Sequence, residues 1–275
     1  MESSPLILIY SKSHCCSTPT FYSGLDKSLY QNRLPYIKTV NAVADGKYTE
    51  NYKKGCQKLK IKWLGQSCFL ITSENGTKIL TDPFKNMLGY KLPEIEANIV
   101  STSHNHSDHN NISAVKGSFT HFNEPGTFSV NGINIKGAAT FHDKALGSKR
   151  GKNTVYIFSI DGINVCHCGD LGHVLTDTQV KEIGTVDILL LPVGGRATIA
   201  ALDAVQVMKQ LNPAIVIPMH YRTKALGLLG FIFEKVDKFV AVSGLTAKKC
   251  KELDINKTTL QKYKEDKKIV ILQYD

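Results

Sequence analysis

The sequence of 275 residues lacks any apolar run of membrane-spanning length. Its only early apolar run, "LILIY" at residues 6–10, is too short for the hydrophobic region of a signal peptide and has no basic residue ahead of it. These absences argue against a membrane-spanning protein and against a secreted one. We therefore expect a soluble, cytoplasmic protein with no membrane partner.

A cysteine pattern typical of a disulfide framework is also missing. The seven cysteines are odd in number and scattered along the chain, and Cys15 and Cys16 are adjacent, which is not the spacing of a zinc ribbon. This usage suits a reducing compartment. With 42% hydrophobic residues the chain can bury a full core, either as one large domain or as one domain with an extension.

The basic residues lack interleaved aromatic side chains. The net charge of +10 favours a polyanionic or phosphorylated partner. The basic stretches "KLKIK", "GSKRGK", "TAKKCK" and "YKEDKK", however, lie far apart. This distribution is more typical of a solvated lysine-rich surface than of a nucleic-acid interface, so nucleic acid is kept only as an alternative partner.

Strand patterns become regular from Leu59 onward. "LKIKWLG", "SCFLITS" and "TKILTDP" predict three short strands, with a turn at residues 74–76, and "ANIVSTS" predicts a buried strand. Two further hairpins are predicted to turn at Asn131-Gly132 and Asp161-Gly162. Residues 1–55 have no clean period, so we interpret them as an N-terminal extension of unknown role that precedes a main domain over residues 56–275.

The second half of the chain alternates strands and helices. "VDILLLPV" and "AIVIPMHY" predict buried strands, and "TDTQVKEIG" predicts a helix capped by Thr176 or Asp177. "TIAALDAVQVMKQLNP" predicts an amphipathic helix that Thr198 caps and Asn212-Pro213 ends. Its predicted buried face consists of Ile199, Leu202, Val205, Met208 and Leu211. Such alternation predicts a sheet covered by helices.

The stretch "SHNHSDHN" contains three histidines and one aspartate within six positions. Residues two apart in an extended chain point the same way, so His104, His106 and Asp108 share a side, while His109 needs a turn. A bend at Ser107-Asp108 can offer His104 and His106 to one cation and Asp108 with His109 to a second. Imidazole and carboxylate ligands suit zinc, manganese or iron.

Three further ligand types follow predicted strands. His142 lies in "FHD", Asp170 in "HCGDLGH" and His220 in "VIPMHY". A single histidine after a strand is more often a hydrogen-bonded core or surface residue than a ligand. Their joint occurrence with the histidine-rich stretch nevertheless predicts a metal site at one pole of the sheet.

These motifs resemble those of the metallo-β-lactamase fold superfamily of metal-dependent hydrolases. The resemblance covers about residues 59–275 and is strongest to the branch of the L-ascorbate-6-phosphate lactonase type. "WLGQSCFLI", "ILTDP", "DILLLPVGG" and "TIAALDAV" carry it together with the histidine motifs. It implies an α/β fold, a four-layer αβ/βα sandwich with two divalent metal ions at one edge between the sheets.

The resemblance also implies a ligand set and a reaction. The implied ligands are His104, His106 and His142 for the first metal, Asp108, His109 and His220 for the second, and Asp170 as a bridge. We expect zinc, with manganese or iron as alternatives. Two cations lower the pKa of a shared water, which would attack an ester, lactone or phosphoester bond of a small anionic substrate. Asp108 would also accept a hydrogen bond from this nucleophile.

Several other residues have alternative interpretations. Asp82 is either a carboxylate that orients a ligand histidine or a turn residue. His173 is a candidate proton donor or substrate contact, with a supporting or surface role as the alternative. Arg196, beside a Gly-Gly loop that either binds an anion or makes a tight turn, and Arg222 are candidates for binding a phosphate or carboxylate. His167 is predicted to point away from Asp170.

Two other functions remain open on the sequence alone. The same dinuclear site could serve a phosphodiesterase or nuclease, which would suit the basic surface. A non-catalytic metal-binding sensor would be expected to have lost ligands, and here none is missing. A homo-oligomer is compatible with the sequence.

Overall fold

The computed structural model describes residues 58–86 and 89–274, together with two short strands nearer the N-terminus. The chain divides into two compact units, residues 1–55 and 56–275. In the first unit, β1 (Ile7–Ile9) pairs antiparallel with β2 (Thr20–Tyr22). The predictions for Cys15 and Cys16 lie outside the described residues.

The second unit consists mainly of strands, with four α-helices among its described residues. The strands are β3 (Leu59–Gly65), β4 (Cys68–Thr72), β5 (Lys78–Thr81), β6 (Ile95–Glu96), β7 (Ile99–Ser101), β8 (Val115–Lys116), β9 (Thr120–Phe122), β10 (Gly126–Val130), β11 (Ile133–Phe141), β12 (Lys152–Ile160), β13 (Ile163–His167), β14 (Ile188–Pro192), β15 (Ile215–Met219), β16 (Thr246–Cys250), β17 (Glu252–Ile255) and β18 (Lys268–Leu272). The α-helices are α1 (Asp177–Ile183), α2 (Ala201–Leu211), α3 (Val236–Ser243) and α4 (Lys257–Glu265). Short 3₁₀ segments span Ile112–Ala114 and Lys224–Ile232.

Two mixed sheets organise this unit. The larger has eight strands in the order β10-β11-β12-β13-β14-β15-β18-β16; it is antiparallel up to β13 and parallel beyond it. The smaller has six strands in the order β17-β3-β4-β5-β7-β9, with β5, β7 and β9 parallel to one another. A separate pair is formed by β6 and β8. The predicted α/β class is confirmed.

The main core lies between the two sheets. One cluster of buried apolar side chains joins Ile61 and Ile71 of the smaller sheet to Ile135 and Phe158 of the larger one. On β5, Leu80 belongs to a second cluster, which includes Phe84 and Leu226 from the covering segments. Both faces of the smaller sheet are therefore buried. On the larger sheet, α1 packs against β11 and α2 against β14.

The predicted turns and caps are mostly confirmed. Asn131-Gly132 and Asp161-Gly162 connect β10 to β11 and β12 to β13, and all four residues have positive φ, as this type of hairpin turn requires. Thr176 caps α1 in a capping box with Gln179. These features are local, so the sequence alone could predict them.

Helix α2 departs from its prediction at the N-terminus. The helix begins at Ala201, its N-cap residue is Ala200, and Thr198 does not cap it. The carboxylate of Glu234, distant in sequence, accepts a hydrogen bond of 3.2 Å from Ala201 N instead. Leu202, predicted to be buried, is 63% exposed. The buried face of α2 includes the predicted Val205, Met208 and Leu211 together with Ala201, Ala204 and Val207, and Leu202 lies outside it.

Within residues 58–86 and 89–274, every helix is too short or too polar to cross a membrane.

Candidate metal centre

Four strand ends deliver the predicted ligands to one place. The histidine-rich stretch follows β7, His142 directly follows β11, Asp170 lies three residues after β13, and His220 directly follows β15. These strands belong to both sheets, so the cluster lies at an edge between them. The prediction that the ligand-type residues share one pole therefore agrees with the geometry.

The side chains form two groups of three. The ligand atoms of His104, His106 and His142 lie within 4.8 Å of one another, and so do those of Asp108, His109 and His220. These are the two sets that the resemblance implied. A third such group combines His104 and His109 with Asp170, and so joins the other two.

Asp170 occupies the position between the groups. Its Oδ2 lies 3.4 Å from His142 Nε2 in the first group. It also lies 3.3 Å from His109 Nε2 and 3.5 Å from His220 Nε2 in the second. The carboxylate itself is almost fully buried, and its other oxygen accepts a hydrogen bond of 3.3 Å from Ser67 Oγ. One oxygen atom therefore faces nitrogen ligands from both groups.

Buried ring nitrogens without partners indicate where a cation fits. His104 Nε2, His109 Nε2, His142 Nδ1 and His220 Nδ1 are buried and make no hydrogen bond, and His167 Nδ1 is a further atom of this kind. In His142 and His220 the nitrogen that faces Asp170 is the other one, Nε2. A buried polar atom without a partner costs free energy, and such atoms in native proteins usually serve a bound group. Together with the acidic side chains among them, these nitrogens make a donor set suited to divalent metals.

The tautomers of two histidines follow from their neighbours. His109 Nδ1 lies 2.8 Å from Asp82 Oδ2, so this nitrogen carries the proton and donates it. Ser103 Oγ donates to the same carboxylate at 2.7 Å, so its oxygen accepts from His104 Nδ1 at 3.0 Å. His104 Nε2 is therefore left with a lone pair, as a metal ligand requires, and His109 Nε2 would have one once the ring is neutral.

In this geometry Asp82 therefore has the first of its two predicted roles, that of a carboxylate that orients a ligand histidine. Its carboxylate is fully buried and also accepts a hydrogen bond of 2.7 Å from Ser103 N. The residue has a positive φ of 42°. An unfavourable backbone conformation of this kind is held by the surrounding structure, and here it aims the carboxylate at His109.

The electrostatics of the cluster keep its imidazoles in different protonation states. Burial, and then the charge of His109, lowers the pKa of His104 to about 3. Burial also lowers the pKa of His142. For His109 burial acts in the same direction, but the carboxylates of Asp170 and Asp82 outweigh it and raise the pKa well above its ordinary value. Neutral imidazoles are the form that binds metal.

The pKa values of the two carboxylates are low despite burial, which alone would raise them. The charges of His109 and His220 hold the pKa of Asp170 well below its ordinary value. The charges of His109 and His167 likewise lower the pKa of Asp82. Both carboxylates are therefore ionised and available to a cation or to a histidine.

Gly172 allows the segment that carries Asp170 to approach His142. A Cβ atom on this residue would lie 2.3 Å from Asp143 N and 2.3 Å from the carbonyl carbon of His142. Gly172 N also donates to Phe141 O at 2.9 Å, immediately before His142. Only glycine fits this contact.

We expect Gly172→Ala to lower both stability and metal content, because the added methyl group must push His142 away from Asp170. Overpacking of this kind costs about 1–3 kcal/mol. Calorimetric melting and elemental analysis measure the two effects. Gly184→Ala is the matched control: Gly184 has a positive φ of 77° but open space around its Cβ position. It should lose stability and keep its metal; equal metal loss in both variants would contradict the role given to Gly172.

The three predicted substrate residues lie in different surroundings. Arg196 is exposed, in a loop where Gly195 N, Ala197 N and Thr198 N all donate to carbonyls of the same loop. The Gly-Gly loop is therefore the tight turn of the two predicted alternatives, because those N–H groups are not free to bind an anion. The guanidinium of Arg222 lies 3.6 Å over the ring of Phe231.

Both ring nitrogens of His173 make backbone hydrogen bonds. Phe141 N donates to Nε2 at 3.2 Å, and Nδ1 donates to Val174 O at 2.8 Å. The ring therefore fixes the chain beside His142 and has no nitrogen left for a substrate. These contacts do not support the predicted substrate role of His173.

His167 and Ser67 support the cluster in a way that the sequence did not predict. His167 Nε2 donates to Ser67 O at 2.7 Å, and Ser67 Oγ donates to Asp170 Oδ1 at 3.3 Å. These contacts join the β3–β4 turn of the smaller sheet to the end of β13 and the segment after it in the larger sheet, and they are not local in sequence. His121 belongs to neither ligand group, and its Nε2 shares a hydrogen bond of 2.9 Å with Thr102 Oγ1.

Residues 60–220 match the family model described as the beta-lactamase superfamily domain. This span is more than half of the chain and includes all seven predicted ligands. A UPF0173 metal-dependent hydrolase of Methanosarcina mazei is 32% identical in an alignment 196 residues long, and the match covers 60% of this chain and 84% of that protein. The chain belongs to the UPF0173 metal-dependent hydrolase family of the metallo-β-lactamase superfamily.

Other similar proteins agree with the UPF0173 assignment. A UPF0173 metal-dependent hydrolase of Thermoplasma acidophilum is 27% identical in an alignment 192 residues long, and the match covers 61% of this chain and 85% of that protein. A crystal structure from Thermotoga maritima, assigned to the Zn-dependent hydrolases of the metallo-β-lactamase superfamily, matches with a TM-score of 0.65 and 39% identity. That match covers 79% of this chain and 100% of the other, and the predicted fold class is confirmed.

Proposed function

We propose that this UPF0173 protein is a hydrolase with a dinuclear metal centre, which cleaves an ester, lactone or phosphoester bond in a small anionic substrate. The observation that carries the proposal is the position of Asp170 Oδ2, between 3.3 and 3.5 Å from nitrogens of both ligand groups. Zinc is the metal we expect, with manganese or iron as alternatives for the same ligand types. The lactonase branch that the motifs resemble is one form of this chemistry.

Each residue has a distinct task in this proposal. The first metal would be held by His104, His106 and His142 and the second by Asp108, His109 and His220, with Asp170 shared between the two groups. Two bound divalent cations would supply the nucleophile by lowering the pKa of a water, and would polarise the oxygen under attack.

Asp108 is the catalytic carboxylate in this proposal. Its side chain is 27% exposed, whereas that of Asp170 is 3% exposed. Asp108 therefore borders the open side of the cluster, where substrate enters. There its carboxylate accepts a hydrogen bond from the attacking water and orients it.

A cytoplasmic location also belongs to the proposal. Four cysteines within the described residues, Cys68, Cys166, Cys168 and Cys250, are free thiols. Three of them are buried, which fits small core residues. Free thiols suit a reducing compartment.

Elemental analysis and a substrate panel test the proposal together. We expect about two divalent metal ions per chain, and metal-dependent turnover of at least one class among phosphorylated lactones, carboxylate esters and phosphodiesters. His106→Ala and Asp108→Asn should each abolish this turnover. His121→Ala is the matched control, because His121 bonds to Thr102 outside the cluster. Full activity of both ligand variants, or a protein purified without metal, would rule the proposal out.

The same measurements distinguish the alternatives. A phosphodiesterase or nuclease, which the net charge of +10 would suit, should turn over oligonucleotides with a steep dependence on salt. A non-catalytic metal-binding sensor should gain melting temperature from metal and turn over no member of the panel. The complete set of predicted ligands supports catalysis over a sensor.

A further inference from the structure

A closed loop follows the proposed ligand His142. His142 N donates to Gly151 O at 3.1 Å, and Gly151 N donates to Gly147 O at 2.8 Å. These bonds hold the two ends of the loop side by side. Arg150, one residue before the closing contact, therefore projects from backbone adjacent to His142.

Asp143 organises this loop from the inside. Its Oδ1 accepts hydrogen bonds from Ala145 N at 2.7 Å and Gly147 N at 3.0 Å, and its Oδ2 accepts from Lys149 N at 3.0 Å and Arg150 N at 2.7 Å. Burial acts to raise the pKa of Asp143, but these four bonds lower it overall. Charge-assisted bonds to the backbone make the loop rigid.

The guanidinium of Arg150 has no partner within residues 58–86 and 89–274, unlike the cationic groups of Lys144 and Arg222. Its side chain is exposed, and the hydrogen bond that it makes is through its backbone N. Lys144 of the same loop pairs with Asp203 at 2.7 Å, and Arg222 packs on Phe231. Arg150 thus keeps its full hydrogen-bonding capacity for a ligand.

The backbone of Arg150 lies next to the first ligand group. The carbonyl of Gly151, the following residue, accepts the hydrogen bond from His142 N at 3.1 Å, and Arg150 N donates to Asp143, the residue after His142, at 2.7 Å. The carboxylate nearest to Arg150 in sequence, Asp143, is already used by four backbone N–H groups.

We propose that Arg150 binds an anionic group of the substrate, a phosphate or carboxylate outside the bond that is cleaved. The proposal rests on the hydrolase function above and names the residue that selects an anionic substrate. A guanidinium binds such groups through paired, parallel hydrogen bonds. Because the backbone of Arg150 is already fixed, less conformational entropy is lost on binding.

Matched substrates separate this role from a structural one. We compare Arg150→Gln with the wild type on a phosphorylated lactone and its unphosphorylated counterpart. KM for the phosphorylated substrate should rise roughly 10–100-fold, the usual effect of losing a charged hydrogen bond. KM for the neutral substrate, kcat and metal content should stay unchanged, and Arg150→Lys should recover part of the loss.

Lys149→Gln is the control within the same loop. Lys149 is exposed, and its backbone N bonds to the same carboxylate as that of Arg150, so the variant removes one positive charge from the same loop. It should change neither KM value. An equal effect in both variants would show that overall surface charge attracts the substrate, and would overturn the assignment to Arg150.

Direct binding of inorganic phosphate provides a measurement that is independent of turnover. Calorimetric titration should show weaker phosphate binding in Arg150→Gln than in the wild type or in Lys149→Gln. Equal phosphate affinity in the wild type and Arg150→Gln, or an equal loss of activity on both lactones in Arg150→Gln, would overturn the proposal. A salt-dependent loss of oligonucleotide binding in both Arg150→Gln and Lys149→Gln would also overturn it. Should the wild type turn over no member of the substrate panel, the hydrolase proposal fails, while the phosphate titration still decides whether Arg150 binds an anion.

Discussion

Asp170→Asn is expected to reduce turnover at least about a thousandfold and to leave less than the full metal content. The substitution keeps the size of the side chain but removes the negative charge that faces His109, His142 and His220 at 3.3–3.5 Å. Losing several kcal/mol of charge stabilisation at such a site corresponds to about three orders of magnitude in rate. Elemental analysis and steady-state kinetics on the best substrate of the panel measure the result.

A second buried aspartate provides the matched control. Asp187 pairs with Lys264 at 2.8 Å and accepts a hydrogen bond of 2.9 Å from Asn164 N, away from the cluster. Asp187→Asn should lower the melting temperature and leave metal content and kcat unchanged. If Asp170→Asn kept two metals and wild-type turnover, Asp170 would not be the bridging ligand.

The ligand positions could be predicted because the relevant patterns are local. His104, His106 and Asp108 alternate along one stretch, and His142 and His220 each directly follow a strand whose apolar pattern is clear in the sequence. The carboxyl ends of neighbouring parallel strands meet at one edge of a sheet, which brings such residues together. The strand and helix patterns predicted a sheet covered by helices, and the family resemblance implied the four-layer sandwich.

The errors lie where distant residues decide local structure. Helix α2 begins at Ala201 because Glu234, 33 positions later, accepts the hydrogen bond from its first N–H. Thr198 had the right residue type for a cap, but it lies within the preceding loop. Sequence patterns carry no information about a cap supplied from another part of the chain.

Local sequence patterns also could not predict the contacts that hold the cluster in place. The sequence was compatible with both predicted roles of Asp82. The contact with His109 decides between them, and it is formed only in the folded chain. Arg150 belonged to a short basic stretch without a distinguishing motif. Its position beside His142 depends on the loop that Asp143 closes through backbone N–H groups, a contact invisible in residue types.

Asp82→Asn should weaken the second metal selectively, since Asp82 orients His109 and His109 belongs to the second group. Asparagine tolerates the positive φ of 42° at this position, so the backbone can stay as it is. The amide accepts a hydrogen bond through one oxygen only, whereas both carboxylate oxygens of Asp82 accept bonds.

Loss of such an orienting carboxylate typically costs about 10–100-fold in metal affinity. A competitive titration that resolves two metal equivalents should therefore show this loss in one equivalent and little change in the other. Ser103→Ala is the milder control, because it removes the hydroxyl that bonds to both Asp82 and His104 but keeps the carboxylate on His109. Equal weakening of both equivalents by Asp82→Asn would mean that Asp82 supports the whole cluster and not one histidine.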